Sequence, residues 1–448
     1  MGFVVAFDLL LLAIFFHWRK KTLASPEVFF CYEWAIICFL ASLQLYGMYS
    51  ASTKTWAIIL VGSVSFVLGV TAIEHFPPRK KVEKVSLRPL IIEKENNQRG
   101  FFARIKAHPW FWGLVAFLYV FSLIDMGKTL YWLASGLTLD QIRILYLSSN
   151  NFVVEVYNDI FDALQTIVVA IFIKKFIDDV KGNWWYILLA SGLVLMQAFS
   201  DGGRFIIAYL IVEIFVCFLL YSKRNKNVLP RRFKFVILGS CGVLVLAILV
   251  LTLLRGAAIT DLAAKAYRYI CGNIVFFDRH VVALDASGFH SYSFASLYGI
   301  WAVILPILEN GLGIAYPFIY LDTIAKVMNG QEFVQIGENM YTNAFITSFY
   351  HPYADFRWVG VIAGMFIFGL ICGYLYKKAK AGGTFYTVTY LLFAQMIFKT
   401  FHCYPYSAKV YVYITLLLVV YKIAVKCKER TLLNMEKEIL NRLKQDKK

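Results

Sequence analysis

Residues 185–221 read WYILLASGLVLMQAFS, DGGR and FIIAYLIVEIFVCFLLY, so two apolar stretches stand on either side of a short polar turn. Each stretch approaches the length of about 20 mostly apolar residues that a helix needs to cross the hydrocarbon core of a bilayer. Gly202 and Gly203 permit the tight reversal that so short a connection requires. This part of the sequence predicts a hairpin of two membrane helices, with Arg204 at the start of the second.

The pattern extends through the chain of 448 residues, of which 60% are hydrophobic and 16% charged, with a mean hydropathy of +0.63. These values exclude a soluble globular protein, whose apolar share would be about 45 to 50%. The sequence predicts an all-α fold, namely a polytopic integral membrane protein with about 11 transmembrane helices and a partly helical outward loop. The predicted spans are 2–16, 28–48, 56–73, 110–126, 158–173, 185–200, 205–221, 235–254, 358–376, 385–401 and 411–425.

Basic residues give the chain a net charge of +17 and are distributed unevenly among its loops. Most Lys and Arg residues lie in alternate loops and in the tail after Lys422. By the positive-inside rule these segments face the cytoplasm, which places the N-terminus outside and the C-terminus in the cytoplasm. The basic residues carry no nucleic-acid recognition motif, so we expect membrane lipid as a partner and no nucleic acid.

Loop lengths divide the sequence into four parts. Residues 1–254 contain membrane helices 1–8 with basic cytoplasmic loops, and 255–357 form a large outward loop. Residues 358–427 contain membrane helices 9–11, and 428–448 form a cytoplasmic tail. Four apolar residues of the tail fall on one helical stripe, namely Leu432, Met435, Ile439 and Leu443. This stripe predicts an amphipathic helix that lies on lipid or on a partner protein.

The outward loop 255–357 is long enough that we expect it to be partly folded and functional. Small and apolar residues recur at helical spacing in 262–281, which predicts a helix. Residues 293–307 are apolar but too few for a full span. They predict a re-entrant or interfacial helix that covers the site from outside.

Five arginines lie on the outward side against the positive-inside bias, which makes them candidates for binding an anion: Arg204, Arg255, Arg268, Arg279 and Arg357. Arg204 stands at the start of a helix, where backbone N–H groups also point outward, and this combination suits a pyrophosphate. Arg268 and Arg279 fall on one face of the predicted helix, about 16 Å apart. The alternative for Arg204 is a side chain that reaches to the interface or pairs with Asp201.

A second polar cluster precedes the ninth predicted span and contains Glu338, Tyr341, His351, Asp355 and Arg357. Glycosyl transfer needs a base that takes a proton from an acceptor hydroxyl and cations that stabilise the leaving phosphate. Both kinds of group are present here. The alternative is a polar helix cap ordered by hydrogen bonds. No Cys and His spacing typical of zinc occurs, so we expect no structural zinc site.

These features resemble the bacterial oligosaccharide repeat-unit polymerases of the O-antigen or Wzy type, which are membrane glycosyltransferases of the GT-C-like kind. The resemblance lies in the segment 200–204 that opens a span, in the long outward loop, and in the segments 341–344 and 354–360. Members of the family often show Asp-Phe-Gly followed by a further glycine. Here Arg357 stands in the place of the first glycine, and Gly360 follows it.

The resemblance implies inverting transfer of a growing glycan from undecaprenyl pyrophosphate to a new lipid-linked unit at the outer face of the bacterial cell membrane. Flippase and chain-length regulator proteins are implied partners. No metal and no cofactor are implied, and the outward segments contain no Asp-x-Asp sequence. The implied alternatives are ligase-like transfer to another acceptor and a lipid-linked glycan flippase or transporter.

The resemblance also implies roles for the candidate residues. Arg204, Arg268 and Arg279 would hold the donor pyrophosphate, and Arg255 would also bind substrate. His351 would act as the base, with Asp355 or Glu338 as the alternative. Arg357 and Tyr341 would position the sugars.

Overall fold

A computed structural model of the chain describes residues 1–75, 109–139, 152–179, 182–200, 203–224, 262–328, 333–343 and 345–445, with single residues at 141, 142 and 145 and between 239 and 252. Its α-helices in chain order are α1 Gly2–Lys20, α2 Pro26–Ser42, α3 Thr53–His75, α4 Pro109–Ala134, α5 Phe152–Asp178, α6 Trp185–Ser200, α7 Phe205–Arg224, α8 Leu262–Ser287, α9 Tyr298–Leu312, α10 Phe318–Thr323, α11 Tyr350–Lys380, α12 Thr384–Phe398 and α13 Lys409–Gln445. Two short antiparallel strands, β1 Val334–Gly337 and β2 Met340–Thr342, form a hairpin.

Several of these helices have the length and composition of membrane spans, which confirms the expected all-α, membrane-embedded class. Five are long and apolar enough to cross a bilayer, namely α1, α3, α4, α11 and the part Lys409–Cys427 of α13. Three further apolar helices are shorter: Trp185–Ser200, Phe205–Tyr221 and Tyr298–Leu312. The count of 11 spans stays a prediction, because the predicted span 235–254 lies largely outside the described residues. The amphipathic stripe of the tail 428–448 also stays a prediction, because most side chains of this segment lie outside the described part of the chain.

The second helix is shorter than the predicted span 28–48, because the backbone leaves the helical conformation after Ser42. Gln44 and Tyr46 adopt positive φ angles of 50° and 59°. The following residues bond to the hairpin instead, where the Tyr49 amide donates to the Ile336 carbonyl at 2.8 Å. A run of apolar residues therefore continues past the end of its helix.

The α3 and α11 helices pack closely through glycines that face each other's backbone. A Cβ atom on Gly69 would lie 2.1 Å from the Phe366 carbonyl oxygen, and one on Gly369 would lie 2.1 Å from the Phe66 carbonyl oxygen. Small residues of this kind let membrane helices approach until their backbones touch. This contact fixes α11, whose N-terminal turns carry three of the candidate residues.

Loops that the charge pattern assigns to one side meet at one end of the helix bundle. At the end assigned to the cytoplasm, Lys20 pairs with Glu27 at 3.4 Å and also with Glu74. At the opposite end, the Leu45 amide donates to the Tyr267 hydroxyl at 3.0 Å, and the Ile346 amide donates to the His402 carbonyl at 3.0 Å. We call this second end the outer end. Its exposure to the outside of the cell stays a prediction.

The outward loop contains two longer helices. The predicted helix 262–281 is confirmed and extends to Ser287 as α8, which packs against α2, α3, α11 and the hairpin. The apolar segment 293–307 forms α9 a few residues later than predicted, at Tyr298–Leu312. This helix packs beside the start of α13, where a Cβ on Gly299 would lie 2.8 Å from the Ala408 backbone.

Candidate functional site

Two of the candidate arginines meet on one aromatic ring at the outer end. The guanidinium carbon of Arg204 lies 5.2 Å from the centroid of the Tyr269 ring, and that of Arg268 lies 5.7 Å from it. Arg204 also donates to the Tyr269 hydroxyl at 3.2 Å and to the Thr252 hydroxyl at 2.8 Å. The ring and the two hydroxyls in these contacts are neutral groups that orient the guanidinium groups.

Aromatic side chains from separate segments surround this pair. The Phe345 ring lies 4.2 Å from the His402 ring, 5.0 Å from the Phe205 ring and 5.7 Å from the Tyr269 ring. Phe345 has a positive φ of 73°, which turns the chain after the hairpin back toward α7. We name Arg204, Arg268, Tyr269, Phe345 and His402 the arginine cluster. His402 could be identified from the sequence only by its outward position.

The hairpin that carries Glu338 and Tyr341 contacts the arginine cluster at Arg268. Arg268 donates to the Tyr341 carbonyl at 3.4 Å, and the Glu338 amide donates to the Gly47 carbonyl at 3.0 Å. Both side chains are exposed. The hairpin packs against α8 at Gly272, where a Cβ atom would lie 2.6 Å from the Ile336 side chain. The sequence candidates Arg204, Arg268 and Tyr341 are thus connected through Tyr269 and the Tyr341 carbonyl, whereas the Glu338 backbone contacts Gly47.

The remaining candidate arginines lie elsewhere. Arg279 is exposed on α8, with its guanidinium carbon 5.8 Å from the centroid of the Tyr49 ring. It follows Arg268 by three helical turns, so the two charges stand about 16 Å apart, as the helical spacing predicted. Arg255 lies outside the described residues.

Asp355 is a buried carboxylate whose oxygens are occupied by four donors. It is 1% exposed and accepts hydrogen bonds from the Ser291 hydroxyl at 2.6 Å, the Ala295 amide at 3.1 Å and the Ser296 amide at 3.0 Å. The Ser296 hydroxyl is the fourth donor. A carboxylate that accepts this many bonds holds the turn before α9 in place, which is the role of a polar cap.

Arg357 occupies a backbone conformation that favours glycine. Its φ is 52° and its ψ is −131°, and α11 kinks at this point. The side chain donates to the Phe289 carbonyl at 2.7 Å and to the Leu284 carbonyl at 3.1 Å, and it pairs with Asp285 at 3.5 Å. A glycine at this position would adopt this conformation without strain. Arg357 lies at the far end of α8, about 25 Å along the helix from Arg268.

His351 lies in the first turn of α11 and is 4% exposed. Its Nδ1 atom has no hydrogen-bond partner among the residues that the structure describes. The three candidate bases are therefore in different surroundings: His351 is enclosed, Asp355 has its oxygens occupied, and Glu338 is accessible.

An apolar groove of about 680 Å³ begins beside the arginine cluster and runs between α2, α7, α8 and α12. Phe205, Ile270 and Phe401 line its outer end, and each is the sequence neighbour of a member of the cluster. Leu23 lines the opposite end, and Glu33 lies on the wall between them. The groove thus joins a cationic site at the outer end to the apolar interior of the bundle.

Comparison of the chain with protein-family models, curated proteins and solved structures finds no match.

Proposed function

We propose that the protein is a membrane glycosyltransferase that joins undecaprenyl-pyrophosphate-linked oligosaccharide repeat units into a surface polysaccharide at the outer face of the bacterial cell membrane. The observation that carries this proposal is the meeting of Arg204 and Arg268 on the ring of Tyr269. Two guanidinium groups at the end of a membrane helix bundle suit a lipid-linked pyrophosphate, because they can make bidentate bonds to phosphate oxygens.

The reaction that fits this site is displacement at the anomeric carbon of the donor glycan. The acceptor hydroxyl loses its proton to a carboxylate, its oxygen forms a bond to the anomeric carbon, and the bond from that carbon to the pyrophosphate oxygen breaks. Undecaprenyl pyrophosphate then leaves with an additional negative charge. Arg204 and Arg268 would stabilise this charge as it develops. Stabilisation of charge in the transition state is usually the largest single contribution to an enzyme's rate enhancement.

Glu338 is the base in this proposal. Its side chain is exposed on the hairpin that Arg268 contacts through the Tyr341 carbonyl. Asp355 would have to give up hydrogen bonds to two backbone amides before it could accept a proton from substrate. His351 is enclosed within the protein. Tyr341, on the same hairpin as Glu338, is exposed and offers a ring on which a sugar can stack.

The test is the length of the surface glycan in cells that carry single arginine variants. We expect Arg204→Ala and Arg268→Ala each to lower polymerisation by about 100-fold or more, since removal of one charge-stabilising donor has effects of this size. Arg204→Lys should restore little, because a lysine ammonium cannot make the paired bonds of a guanidinium. Arg19→Ala, at the opposite end of the bundle, is the matched control. Full-length glycan from an accumulated Arg204→Ala protein would overturn the proposal.

A further inference from the structure

Two segments of the chain run side by side next to the arginine cluster, one before α11 and one after α12. The Ile346 amide donates to the His402 carbonyl at 3.0 Å, and the Ser348 amide donates to the Thr400 carbonyl at 2.6 Å. Thr347 lies between these two bonds. The pairing thus holds the segment that contains Thr347 against the turn that follows α12.

Two helices add side-chain hydrogen bonds at the same place. Asn273 of α8 donates from its side-chain amide to the Phe401 carbonyl at 2.8 Å, and Trp34 of α2 donates from its indole to the Thr400 hydroxyl at 3.0 Å. Phe401 stands across from Thr347, because the residues on either side of each are paired. Four parts of the chain therefore converge in the interior: α2, α8, 346–348 and 400–402.

Three side-chain oxygens at this point are buried and have no hydrogen-bond partner in the part of the chain that the structure describes, namely Asn273 Oδ1, Thr347 Oγ1 and Ser348 Oγ. Asn273 is 1% exposed, and the other two residues are 0% exposed. The amide nitrogen of Asn273 faces a carbonyl, so its oxygen is the atom left over, and it can only accept. Buried polar groups in proteins are nearly always paired, so three such oxygens in one place indicate a ligand.

The backbone of Thr347 gives a second and independent indication. Its φ is 69°, a conformation that is a true outlier for a β-branched residue. Adjacent side chains of an extended segment point to opposite faces, yet Thr347 and Ser348 are both fully buried. Strained backbone of this kind clusters at functional sites, including those that grip a ligand. The strain here places two neighbouring hydroxyls in the interior together.

The chemistry of these oxygens selects a cation of low charge. Asn273 Oδ1 carries no hydrogen, so it would repel an anion, whereas hydroxyl oxygens can turn their lone pairs toward a cation. Divalent cations such as Ca²⁺ are bound largely by carboxylates. Among the described residues, no group of three or more Asp, Glu, His or Cys side chains is placed to hold a metal ion. Neutral oxygens beside non-helical backbone are the kind of ligand by which membrane proteins bind Na⁺.

We propose that Asn273, Thr347 and Ser348 bind one monovalent cation of the class of Na⁺. The cation ties α8 to the segment before α11, and so supports Phe345 and His402 in the arginine cluster. It makes no contact with the reacting groups and takes no part in glycosyl transfer. The site goes beyond the proposed function, because cation binding can be measured in protein that has no substrate.

The first test is the thermal unfolding of the full-length protein in detergent, in NaCl and in choline chloride at equal concentration. The two salts supply the same chloride and the same ionic strength, but the choline cation is too large for a buried site. At Na⁺ about 100-fold above its Kd, we expect an unfolding midpoint about 3 °C higher in NaCl. Equal midpoints in the two salts would overturn the proposal, and a buried water molecule would give this result.

Two variants remove one oxygen each with little change of volume, Thr347→Val and Ser348→Ala. Groups that merely orient metal ligands alter metal affinity by about 10- to 100-fold, so loss of a direct ligand should raise the Na⁺ concentration for half of the shift by about tenfold or more. In choline chloride the variants should unfold no earlier than the wild type, because a buried hydroxyl without a partner does not stabilise. A lower midpoint in both salts alike would show a purely structural hydroxyl and contradict the site.

Ser122→Ala is the matched control. Ser122 lies on α4, is 4% exposed, and its hydroxyl also has no hydrogen-bond partner among the described residues. Its replacement should leave the Na⁺ dependence unchanged.

Binding of radioactive Na⁺ to the purified protein provides a direct count. We expect about one displaceable ion per chain, with an affinity that falls in Thr347→Val and in Ser348→Ala but not in Ser122→Ala. Absence of saturable binding, or binding that neither of the first two variants weakens, would overturn the assignment. A protein that binds Na⁺ as expected but forms no polymer would contradict the proposed function alone.

Discussion

Replacing Asp355 with asparagine separates a structural carboxylate from a catalytic one. The carboxylate accepts bonds from two backbone amides and two hydroxyls. Asparagine keeps one oxygen acceptor and turns an NH₂ group toward donors, so about two of these bonds are lost. Hydrogen bonds to a charged group contribute about 1.5 to 3 kcal/mol each, so we expect Asp355→Asn to destabilise the protein by about 3 kcal/mol or more.

The assay for Asp355→Asn combines thermal unfolding in detergent with polymerisation per amount of folded protein. A loss of about 3 kcal/mol should lower the unfolding midpoint by about 3 °C in a chain of this size. The protein that remains folded should retain most of its activity. An Asp355→Asn protein that unfolds at the wild-type temperature and makes no polymer would refute this reasoning and identify Asp355 as the base.

Three further changes test other parts of the structure. Glu338→Gln should lower kcat by about 100-fold with little change in KM, measured on purified protein, because it removes the proposed base. Arg357→Ala should lower the unfolding midpoint more than Arg357→Gly, since glycine also relieves the strain of a positive φ. Gly369→Ala should prevent accumulation in the membrane, because its Cβ would lie 2.1 Å from the Phe66 carbonyl oxygen, whereas Gly113→Ala, with nothing within 4 Å, should accumulate normally.

Each of these three predictions has a result that contradicts it. Unchanged kcat in Glu338→Gln would return the base assignment to His351 or Asp355. An Arg357→Gly protein less stable than Arg357→Ala would show that the backbone at this position is unstrained. Normal accumulation of Gly369→Ala would show that α3 and α11 are farther apart than the structure places them.

Helix positions could be predicted from the sequence where apolar runs are long and end in turn residues. The span 185–200 has the predicted bounds, because polar and glycine residues follow it directly. The span 28–48 was predicted too long. The apolar residues Leu45 and Met48 suggested that the helix continues, but it ends at Ser42, and Gln44 and Tyr46 have left-handed backbone conformations. Hydrophobicity alone does not distinguish an apolar turn from the last turn of a helix.

The grouping of the candidate residues depended on contacts that the sequence does not contain. Arg204 and Arg268 were each identified by their outward position, but their meeting on Tyr269 depends on how α8 packs against the bundle. Asp355 is close in sequence to His351 and Arg357, which suggested one site. Its side chain instead bonds to residues 291–296, because the kink of α11 turns it toward that segment.

Polymerase activity is tested by incubating purified protein with a single lipid-linked oligosaccharide and no other substrate. We expect a ladder of products that differ by one repeat unit, together with release of undecaprenyl pyrophosphate in proportion to the bonds formed. One addition to a different acceptor would indicate a ligase. Movement of the lipid-linked substrate across vesicles without any new glycosidic bond would indicate a transporter, and either result would contradict the assignment as a polymerase.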